Sequence, residues 1–415
     1  MKKMKMEIPS SVAAMSIVCF LFTATFHFSL SASESVNASI FIPGSSLVFP
    51  IQGDISRNGF YSTMLYFGNP PKPFILDIDT GSDLTWVQCA ASSHARLLKA
   101  PNKPYIPNKN VVFCKDPLCP FVHQYSSNVC KSPSDQCDYE VQYADYGSSL
   151  GVIVKDVVPL RFSNGSSQKP LLAFGCGYDQ EFAGPFSPPY VDGVLGLGHG
   201  KASIVSQLSK MGMIKNVIAH CLPSQGNGYL FLGDGLVPKG LVWTKISPNS
   251  MNHYVVGPMD LLKGKTVGAS GLQIVFDSGS TYTYFSPKAY QSTLSLITKD
   301  LVGKQLSSVK DSSLPVCWKG VKPFKSVNEV KSHFSPLVLS LVSNRTIAFV
   351  LPPEGYILVN SIGNVCLGIL NSIDSKLGNV NIIGDISLQD KLVVYDNERQ
   401  MIGWTPTNCN KPHKP

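Results

Sequence analysis

The chain has 415 residues, of which 44% are hydrophobic and only 15% are charged. This length exceeds one ordinary core, so two cores of about 100 to 200 residues each are expected, and the hydrophobic content excludes a disordered protein. The formal net charge of +8 is modest and Lys and Arg are scattered, which argues against nucleic-acid binding. The 34 Gly and 30 Pro are spread along the chain, so the predicted fold class is all-β, with many short strands joined by turns and a few short helices.

The N-terminal segment has the layout of a secretory signal peptide. Basic residues come first, an apolar run extends from about Val12 to Leu30, and small residues follow. We expect residues 1–32 to be removed, which leaves residues 33–57 as a short segment before the first lobe. A retained membrane anchor is the alternative, because the run has nearly the length that spans a bilayer. No second apolar run of that length follows, so no stable membrane anchor is expected after cleavage.

The cysteine pattern also indicates a secreted chain. Removal of the signal removes Cys19 and leaves ten cysteines, an even number that predicts five disulfides. A zinc site is the alternative, but zinc ligands usually come as closely spaced pairs, and the closest pair here is Cys114 and Cys119. Three N-x-S/T glycosylation acceptors fit the secretory route; they are Asn37, Asn164 and Asn344.

An apolar strand followed by the motif D-[T/S]-G-S occurs twice. The first copy, residues 74–82, contains Asp79, and the second, residues 273–280, contains Asp277. An apolar strand places its terminal Asp in a low-dielectric site, and the glycine two residues later lets the backbone turn sharply beside the carboxylate. An ordinary turn is the alternative for one such motif, but two copies favour a pair of like charges that meet and share one proton.

An apolar-apolar-Gly triplet follows each copy at a similar distance. The triplets are residues 194–196 and 382–384. Because two copies of one pattern indicate two related structural units, we predict two lobes, an N-terminal lobe at 58–235 and a C-terminal lobe at 236–415. In each lobe the aspartate loop should be cradled by a neighbouring strand.

Other elements can be predicted between these motifs. Residues 140–149 have the pattern of a strand that enters a tight turn, as in a hairpin lid, and Tyr143 in this segment is either a substrate-facing or a packed aromatic residue. Helical spacing of apolar residues predicts one short helix around Ile204–Met211. A second helix is predicted to begin at Ser286-Pro287 and to continue to about Leu301.

These motifs resemble the pepsin family of aspartic proteases, and within it the plant nucellin-like branch. The resemblance extends from about Val48 to Cys409 and is carried by residues 60–74, 76–89, 141–151, 174–180, 192–198, 274–281 and 381–386. It implies a bilobal β fold, with two related lobes of the six-stranded barrel type and a cleft between them. It also implies a secreted, monomeric endopeptidase that cleaves polypeptides at acidic pH without a cofactor or a metal, in the extracellular space, the apoplast or a vacuole.

The resemblance also assigns roles to individual residues. Asp79 and Asp277 correspond to the catalytic pair, in which one carboxylate takes a proton from water while its protonated partner polarises the peptide carbonyl. Tyr143 corresponds to the tyrosine of the flap that closes over the substrate, and Trp86 to the tryptophan that supports it. Supporting positions in the two aspartate loops are Thr80, Gly81, Ser82, Ser278, Gly279 and Ser280. In one departure from the family pattern, Tyr146 stands where related sequences usually carry Gly.

The same resemblance implies the disulfide pairing, which the sequence alone cannot establish. The implied pairs are Cys114–Cys137, Cys119–Cys130, Cys221–Cys409 and Cys317–Cys366, which leave Cys89 for Cys176. Two other functions remain as alternatives. A catalytically silent relative that binds proteins or glycans is expected to have lost an aspartate, and a glycosidase also uses paired carboxylates but not a D-[T/S]-G repeat. Both motifs are intact here, which favours the endopeptidase.

Overall fold

The computed structural model describes residues 46–90, 97–123, 130–144, 146–182, 189–248, 250 and 253–410. All of them belong to one compact unit, Ser39–Pro415. The predicted signal segment and Asn37 lie outside the described residues. Strands dominate and helices are few and short, which confirms the predicted fold class. No helix in the described part of the chain is long and apolar enough to cross a membrane.

The first half of the chain contains twelve strands and two helices among the described residues. The strands are β1 (Leu47–Asp54), β2 (Phe60–Phe67), β3 (Lys72–Asp79), β4 (Trp86–Gln88), β5 (Asp138–Gln142), β6 (Ser148–Val157), β7 (Leu160–Arg161), β8 (Ser167–Gln168), β9 (Leu171–Glu181), β10 (Gly193–Gly196), β11 (Val217–Cys221) and β12 (Gly228–Leu232). The helices are α1 (Cys119–Val122) and α2 (Ile204–Lys210).

The second half has fourteen further strands, two α-helices and three single 3-10 turns among the described residues. The strands are β13 (Val242–Lys245), β14 (Val255–Lys263), β15 (Thr266–Phe276), β16 (Thr283–Phe285), β17 (Ser307–Val309), β18 (Cys317–Lys319), β19 (Leu337–Leu341), β20 (Asn344–Leu351), β21 (Ile357–Val359), β22 (Val365–Leu367), β23 (Ile369–Asn371), β24 (Ile382–Ile383), β25 (Lys391–Asp396) and β26 (Met401–Pro406). The helices are α3 (Pro287–Asp300) and α4 (Asp385–Leu388), and the 3-10 turns are Val327–Glu329, Lys331–His333 and Pro353–Gly355.

Three sheets of four or more strands organise these elements. A 13-stranded sheet has the order β13-β26-β25-β11-β12-β1-β2-β3-β10-β4-β9-β6-β5, and a 7-stranded sheet has the order β20-β19-β14-β15-β24-β16-β23. A separate 4-stranded sheet has the order β17-β18-β22-β21. Three strands of the second half therefore continue the sheet of the first half through β11. The lobe boundaries proposed from the sequence stay a prediction.

The two halves hold their aspartate loops in the same way. In the first half β3 pairs in parallel with β10, so Asp79 lies opposite Gly196. In the second half β15 pairs in parallel with β24, and Phe276, which precedes Asp277, lies opposite Ile383. This arrangement confirms that each apolar-apolar-Gly triplet forms a strand beside an aspartate loop.

The two helices predicted from apolar spacing are both present. Ser203 caps α2, because its hydroxyl accepts a hydrogen bond from the N–H of Ser206 at 3.2 Å, as expected for a serine at this position. Pro287 occupies the first position of α3, where a missing N–H costs nothing. Both helices bury apolar residues, α2 against β9 and α3 against β15, β16 and β23.

Five disulfides connect the ten cysteines of the described chain. They are Cys89–Cys176, Cys114–Cys130, Cys119–Cys137, Cys221–Cys409 and Cys317–Cys366. Three of these pairs agree with those implied by the family resemblance. The disulfide Cys221–Cys409 joins the end of β11 to the segment after β26, and the two cysteines are 188 positions apart in the sequence.

The implied pairs Cys114–Cys137 and Cys119–Cys130 are wrong. The backbone N–H of Cys114 donates to the carbonyl of Asp135 at 2.9 Å, so Cys114 lies diagonally from Cys137, two residues along the neighbouring segment. Diagonal neighbours in such a pairing are about 7 to 8 Å apart, beyond easy disulfide reach. Cys137 instead pairs with the buried Cys119 at the start of α1, and Cys114 pairs with the less buried Cys130.

Candidate active site

The two aspartate loops face each other across the floor of one large cleft. Asp79 and Asp277 both line this cleft, whose volume is about 1460 Å³. The N–H of Gly81 donates to Asp79 Oδ1 at 2.7 Å, and the N–H of Gly279 donates to Asp277 Oδ1 at 2.9 Å. A side chain at either glycine would collide with the aspartate of the opposite loop. Both positions therefore require glycine, because each loop packs directly against the partner's carboxylate.

The remaining carboxylate oxygens are held by serine hydroxyls. The hydroxyl of Ser82 donates to Asp79 Oδ2, and the hydroxyl of Ser280 donates to Asp277 Oδ2 at 2.8 Å. Each carboxylate thus receives one N–H and one O–H from its own loop. Such donors fix the plane of a carboxyl group without neutralising it.

Thr80 and Ser278 bind the two loops to each other. The N–H of Thr80 donates to Ser278 Oγ at 3.1 Å, and the N–H of Ser278 donates to Thr80 Oγ1 at 3.0 Å. Each hydroxyl then donates to a backbone carbonyl of the opposite strand, Ser278 to Ile78 at 2.8 Å and Thr80 to Phe276 at 3.2 Å. Four hydrogen bonds therefore hold the loops in a single relative position.

The environment of the pair favours a shared proton. Burial is the largest cause that raises the pKa of Asp79 above its ordinary value, and the charge of Asp277 adds to it. Hydrogen bonds from Ser82 and Gly81 lower the pKa and oppose this shift. Burial and the like charge prevail, so the pair retains a proton at pH values where an exposed aspartate has lost it.

Two further carboxyl groups, which the sequence analysis did not predict, also lie in the cleft. Asp77 and Asp385 both line it, and burial together with the charges of Asp77, Asp277 and Asp79 raises the pKa of Asp385 well above its ordinary value. A sequence signal existed for both. Asp77 shares a strand face with Asp79, two residues away, and Asp385 directly follows the second apolar-apolar-Gly triplet.

Comparison with known proteins adds family evidence to this geometry. Residues 61–234 match a family described as "Xylanase inhibitor N-terminal", and residues 259–406 match its counterpart "Xylanase inhibitor C-terminal". An aspartic proteinase of Oryza sativa subsp. japonica is 38% identical over 93% of this chain and 97% of its own length. "Aspartic proteinase 36" of Arabidopsis thaliana is 30% identical over 88% of this chain and 78% of its own length.

The chain belongs to the pepsin-like aspartic proteinase family. Solved structures share the fold at low sequence identity. Basic 7S globulin from soybean has a TM-score of 0.68 at 17% identity, with 88% of this chain and 95% of that chain covered. The aspartic proteinase from Irpex lacteus has a TM-score of 0.61 at 17% identity, with 88% and 98% covered.

The hairpin β5–β6 of this aspartic proteinase relative lies over the aspartates. The indole N–H of Trp86 donates to the hydroxyl of Tyr143 at 2.7 Å, so the two residues that the sequence singled out do meet. The N–H of Tyr143 donates to the carbonyl of Gly147 at 2.8 Å and closes the turn. Burial and the charge of Asp79 raise the pKa of Tyr143 well above its ordinary value, which keeps its hydroxyl neutral beside the carboxyl pair.

The tip of this hairpin reaches the opposite side of the cleft. The ammonium group of Lys376 lies 5.0 Å from the ring centre of Tyr146, and both residues line the cleft. Both also have positive φ, 69° and 62°, a conformation that a bulky residue adopts only at a cost. The contact therefore joins two strained turns, one at the hairpin and one after β23.

We expect this contact to slow entry into the cleft. In Lys376→Met the cation is lost. The association rate constant of a statine peptide, which resembles the tetrahedral intermediate of peptide hydrolysis, should then rise about two- to fivefold, a factor that corresponds to the free energy of one exposed cation–π contact. Lys376→Arg keeps the cation and is the matched control, with an expected rate close to that of the wild type. Stopped-flow measurement of inhibitor binding checks this result, and equal rates for the Met and Arg variants would contradict it.

Proposed function

We propose that the chain is an aspartic endopeptidase that hydrolyses peptide bonds at acidic pH. The observation that carries the proposal is the opposed pair Asp79 and Asp277, each with its own N–H and O–H donors and with the two loops tied by four hydrogen bonds. A buried pair of like charges that shares one proton offers a base and an acid at the same place. No cofactor is required for this chemistry.

The reaction follows from the roles of the two carboxyl groups. The ionised carboxylate removes a proton from a water molecule as the water oxygen attacks the carbonyl carbon, and the protonated partner donates a hydrogen bond to the carbonyl oxygen. That partner passes its proton to the carbonyl oxygen, which gives a tetrahedral diol. The C–N bond of the diol breaks when the carboxyl that took the water proton transfers it to the leaving nitrogen, and a diol hydroxyl returns its proton to the partner carboxylate as the new carbonyl forms. Ser82 and Ser280 hold the outer carboxylate oxygens, and Thr80 and Ser278 keep the loops aligned. Tyr143, supported by Trp86, covers the substrate.

The substrates proposed here are extended polypeptides. The cleft has a volume of about 1460 Å³, and aromatic side chains line it, among them Phe60, Trp86, Tyr143, Tyr282 and Tyr284. Such walls suit hydrophobic side chains on either side of a cleaved bond. We propose that the protein acts as a monomer and does not bind nucleic acid.

We also propose a secretory location for the enzyme, either the extracellular space of the plant or a vacuole. Five disulfides suit an oxidising compartment, and the side chains of the acceptors Asn164 and Asn344 are exposed. Membership of the plant nucellin-like branch and removal of residues 1–32 belong to the same proposal.

A catalytically silent binding protein is the second candidate. The matched family models are described as xylanase inhibitor domains, and two solved structures with the same fold are basic 7S globulins by name. These descriptions favour this candidate. The intact donors around both aspartates oppose it, because a cleft used only for binding has no need for two matched carboxylate loops.

One experiment separates the two candidates. Recombinant protein is incubated with a denatured protein substrate at about pH 4, where the shared proton is retained, with and without a statine peptide that resembles the tetrahedral intermediate. We expect cleavage that the statine peptide and the substitution Asp277→Asn both abolish. Cleavage that survives Asp277→Asn would come from a contaminating protease, and no cleavage by the wild type would favour the binding protein.

A further inference from the structure

Two buried tyrosines lie directly beneath the aspartate loops. Tyr254 and Tyr395 have no exposed surface, and their ring centres are 4.3 Å apart. Neither side chain reaches the cleft, so neither contacts substrate. Their hydroxyl groups nevertheless lead to the Asp79 loop, and the backbone carbonyl of Tyr254 contacts the residue before Asp277.

Tyr254 connects one loop to the other. Its backbone carbonyl accepts a hydrogen bond at 2.9 Å from the N–H of Phe276, the residue before Asp277. Its hydroxyl donates to the carbonyl of Leu197 at 3.0 Å, and the N–H of Leu197 donates to the carbonyl of Asp79 at 2.7 Å. A displacement of this residue would therefore move both aspartate loops relative to each other.

Tyr395 acts on the hydrogen bonds between the loops. Its hydroxyl lies 2.9 Å from His220 Nε2 and also bonds the side chain of Thr80. His220 is fully buried and its Nδ1 has no hydrogen-bond partner. A buried N–H without an acceptor is rarer than a bare acceptor, so we assign the His220 proton to Nε2, which donates to the Tyr395 oxygen.

This arrangement makes the inter-loop hydrogen bonds asymmetric. Thr80 Oγ1 accepts from the Ser278 N–H and donates to the carbonyl of Phe276, and the Thr80 side chain also makes the hydrogen bond with Tyr395. Ser278 Oγ accepts from the Thr80 N–H and donates to Ile78. The Thr80 hydroxyl therefore has its orientation set from outside the loops.

We propose that Tyr254 and Tyr395, with His220 behind Tyr395, are positioning residues that hold the Asp79 and Asp277 loops in register. We call these three residues the brace. The expected effect on the reaction rate rests on the proposed endopeptidase function, whereas the contacts of the brace are a property of the fold. Without it the four inter-loop hydrogen bonds remain possible, yet the loops sample a wider range of separations. Catalysis that depends on sub-ångström placement of two carboxyls then slows.

The test compares three Tyr→Phe substitutions, each of which removes one buried hydroxyl. Tyr254→Phe and Tyr395→Phe are expected to lower kcat about five- to tenfold with KM changed less than twofold, because the loss affects alignment and not substrate contacts. The matched control is Tyr356→Phe. Tyr356 is also fully buried and donates to Ser335 at 2.7 Å, in a part of the second half away from the cleft. Tyr356→Phe should lose about as much free energy of unfolding as the other two variants but keep the wild-type kcat.

Hydrogen exchange gives a readout that does not require activity. Peptides that contain the Thr80 and Ser278 amides should exchange faster in Tyr395→Phe than in Tyr356→Phe, and the Leu197 amide should exchange faster in Tyr254→Phe. If all three variants share one kcat and one exchange pattern, the brace is disproved. If the wild type cleaves nothing, the proposed function fails, and the exchange rates alone decide for or against the brace.

Discussion

Asp79→Asn is expected to abolish proteolysis and, at neutral pH, to make the folded protein more stable. The amide cannot act as a base, so activity at acidic pH should fall by at least about 10³-fold. The same change removes a buried group whose pKa is raised by burial and by Asp277. At pH 7 the wild type must keep a negative charge on a buried carboxylate beside Asp277, which is unfavourable, whereas the Asn side chain is neutral. We expect a gain in the free energy of unfolding of about 2 to 4 kcal/mol.

The direction of this effect depends on pH. Because the folded-state pKa of Asp79 is raised, the folded protein binds more protons than the unfolded chain between the ordinary and the raised pKa. Wild-type stability therefore falls as the pH rises through this interval, and the advantage of Asp79→Asn should shrink in acid. Thermal unfolding at pH 7 and pH 4 measures the difference.

The matched control for this prediction is Asp192→Asn. Asp192 is also buried, but its carboxylate accepts three hydrogen bonds from N–H donors, one from Ile75 at 2.6 Å and two from Asn102 at 2.8 and 2.7 Å. An amide in its place loses acceptors, so this variant should be less stable than the wild type at pH 7. Lower stability of Asp79→Asn at pH 7 would contradict the assignment of a strained, charge-repelling pair.

The second large effect concerns acid stability and His220. This residue has no exposed surface, its side chain is hydrogen-bonded to Tyr395, and burial lowers its pKa from 6.5 to about 3. Between these two values the unfolded chain binds a proton that the folded protein excludes, so the folded state loses stability as the pH falls from 6.5 toward 3. The full loss corresponds to about 4 to 5 kcal/mol.

His220→Gln should remove this acid sensitivity. The Gln amide can donate to the Tyr395 oxygen, and it has no charge to gain. We expect the variant to match the wild type within about 1 kcal/mol at pH 7 and to exceed it by several kcal/mol at pH 3, as measured by urea unfolding across this range. His253→Gln, at an exposed histidine, is the control and should keep the wild-type pH dependence. Parallel stability curves for His220→Gln and the wild type would disprove the explanation.

Acid pH therefore has two opposite effects on the folded state. Protonation of the carboxyl pair around Asp79 becomes easier and stabilises the fold, whereas exclusion of a proton from His220 destabilises it. The proposed enzyme would need the first effect for its chemistry and would be limited by the second.

Much of the site could be predicted from short stretches of residues. Apolar residues precede both Asp79 and Asp277, and a glycine follows each aspartate two positions later. Each glycine is needed because the carboxylate of the opposite loop lies against it. The helices α2 and α3 follow from apolar spacing and a cap or an initial proline. These features depend on residues close together in the chain, so the sequence predicts them directly.

Contacts between distant segments depended on strand register and on packing. The pairing of Cys114 with Cys130 follows from a single register between two irregular segments, and a shift by two residues would have changed it. Tyr254 and Tyr395 lie beneath the aspartate loops only because two distant segments, the start of β14 and the strand β25, come together in the fold. No local sequence pattern marks these two tyrosines, because each lies in or beside an ordinary apolar strand. Their place beneath the loops is decided only when the sheets assemble. The sequence by itself therefore predicted the two aspartate motifs, whereas the brace that positions their loops was decided by the tertiary structure.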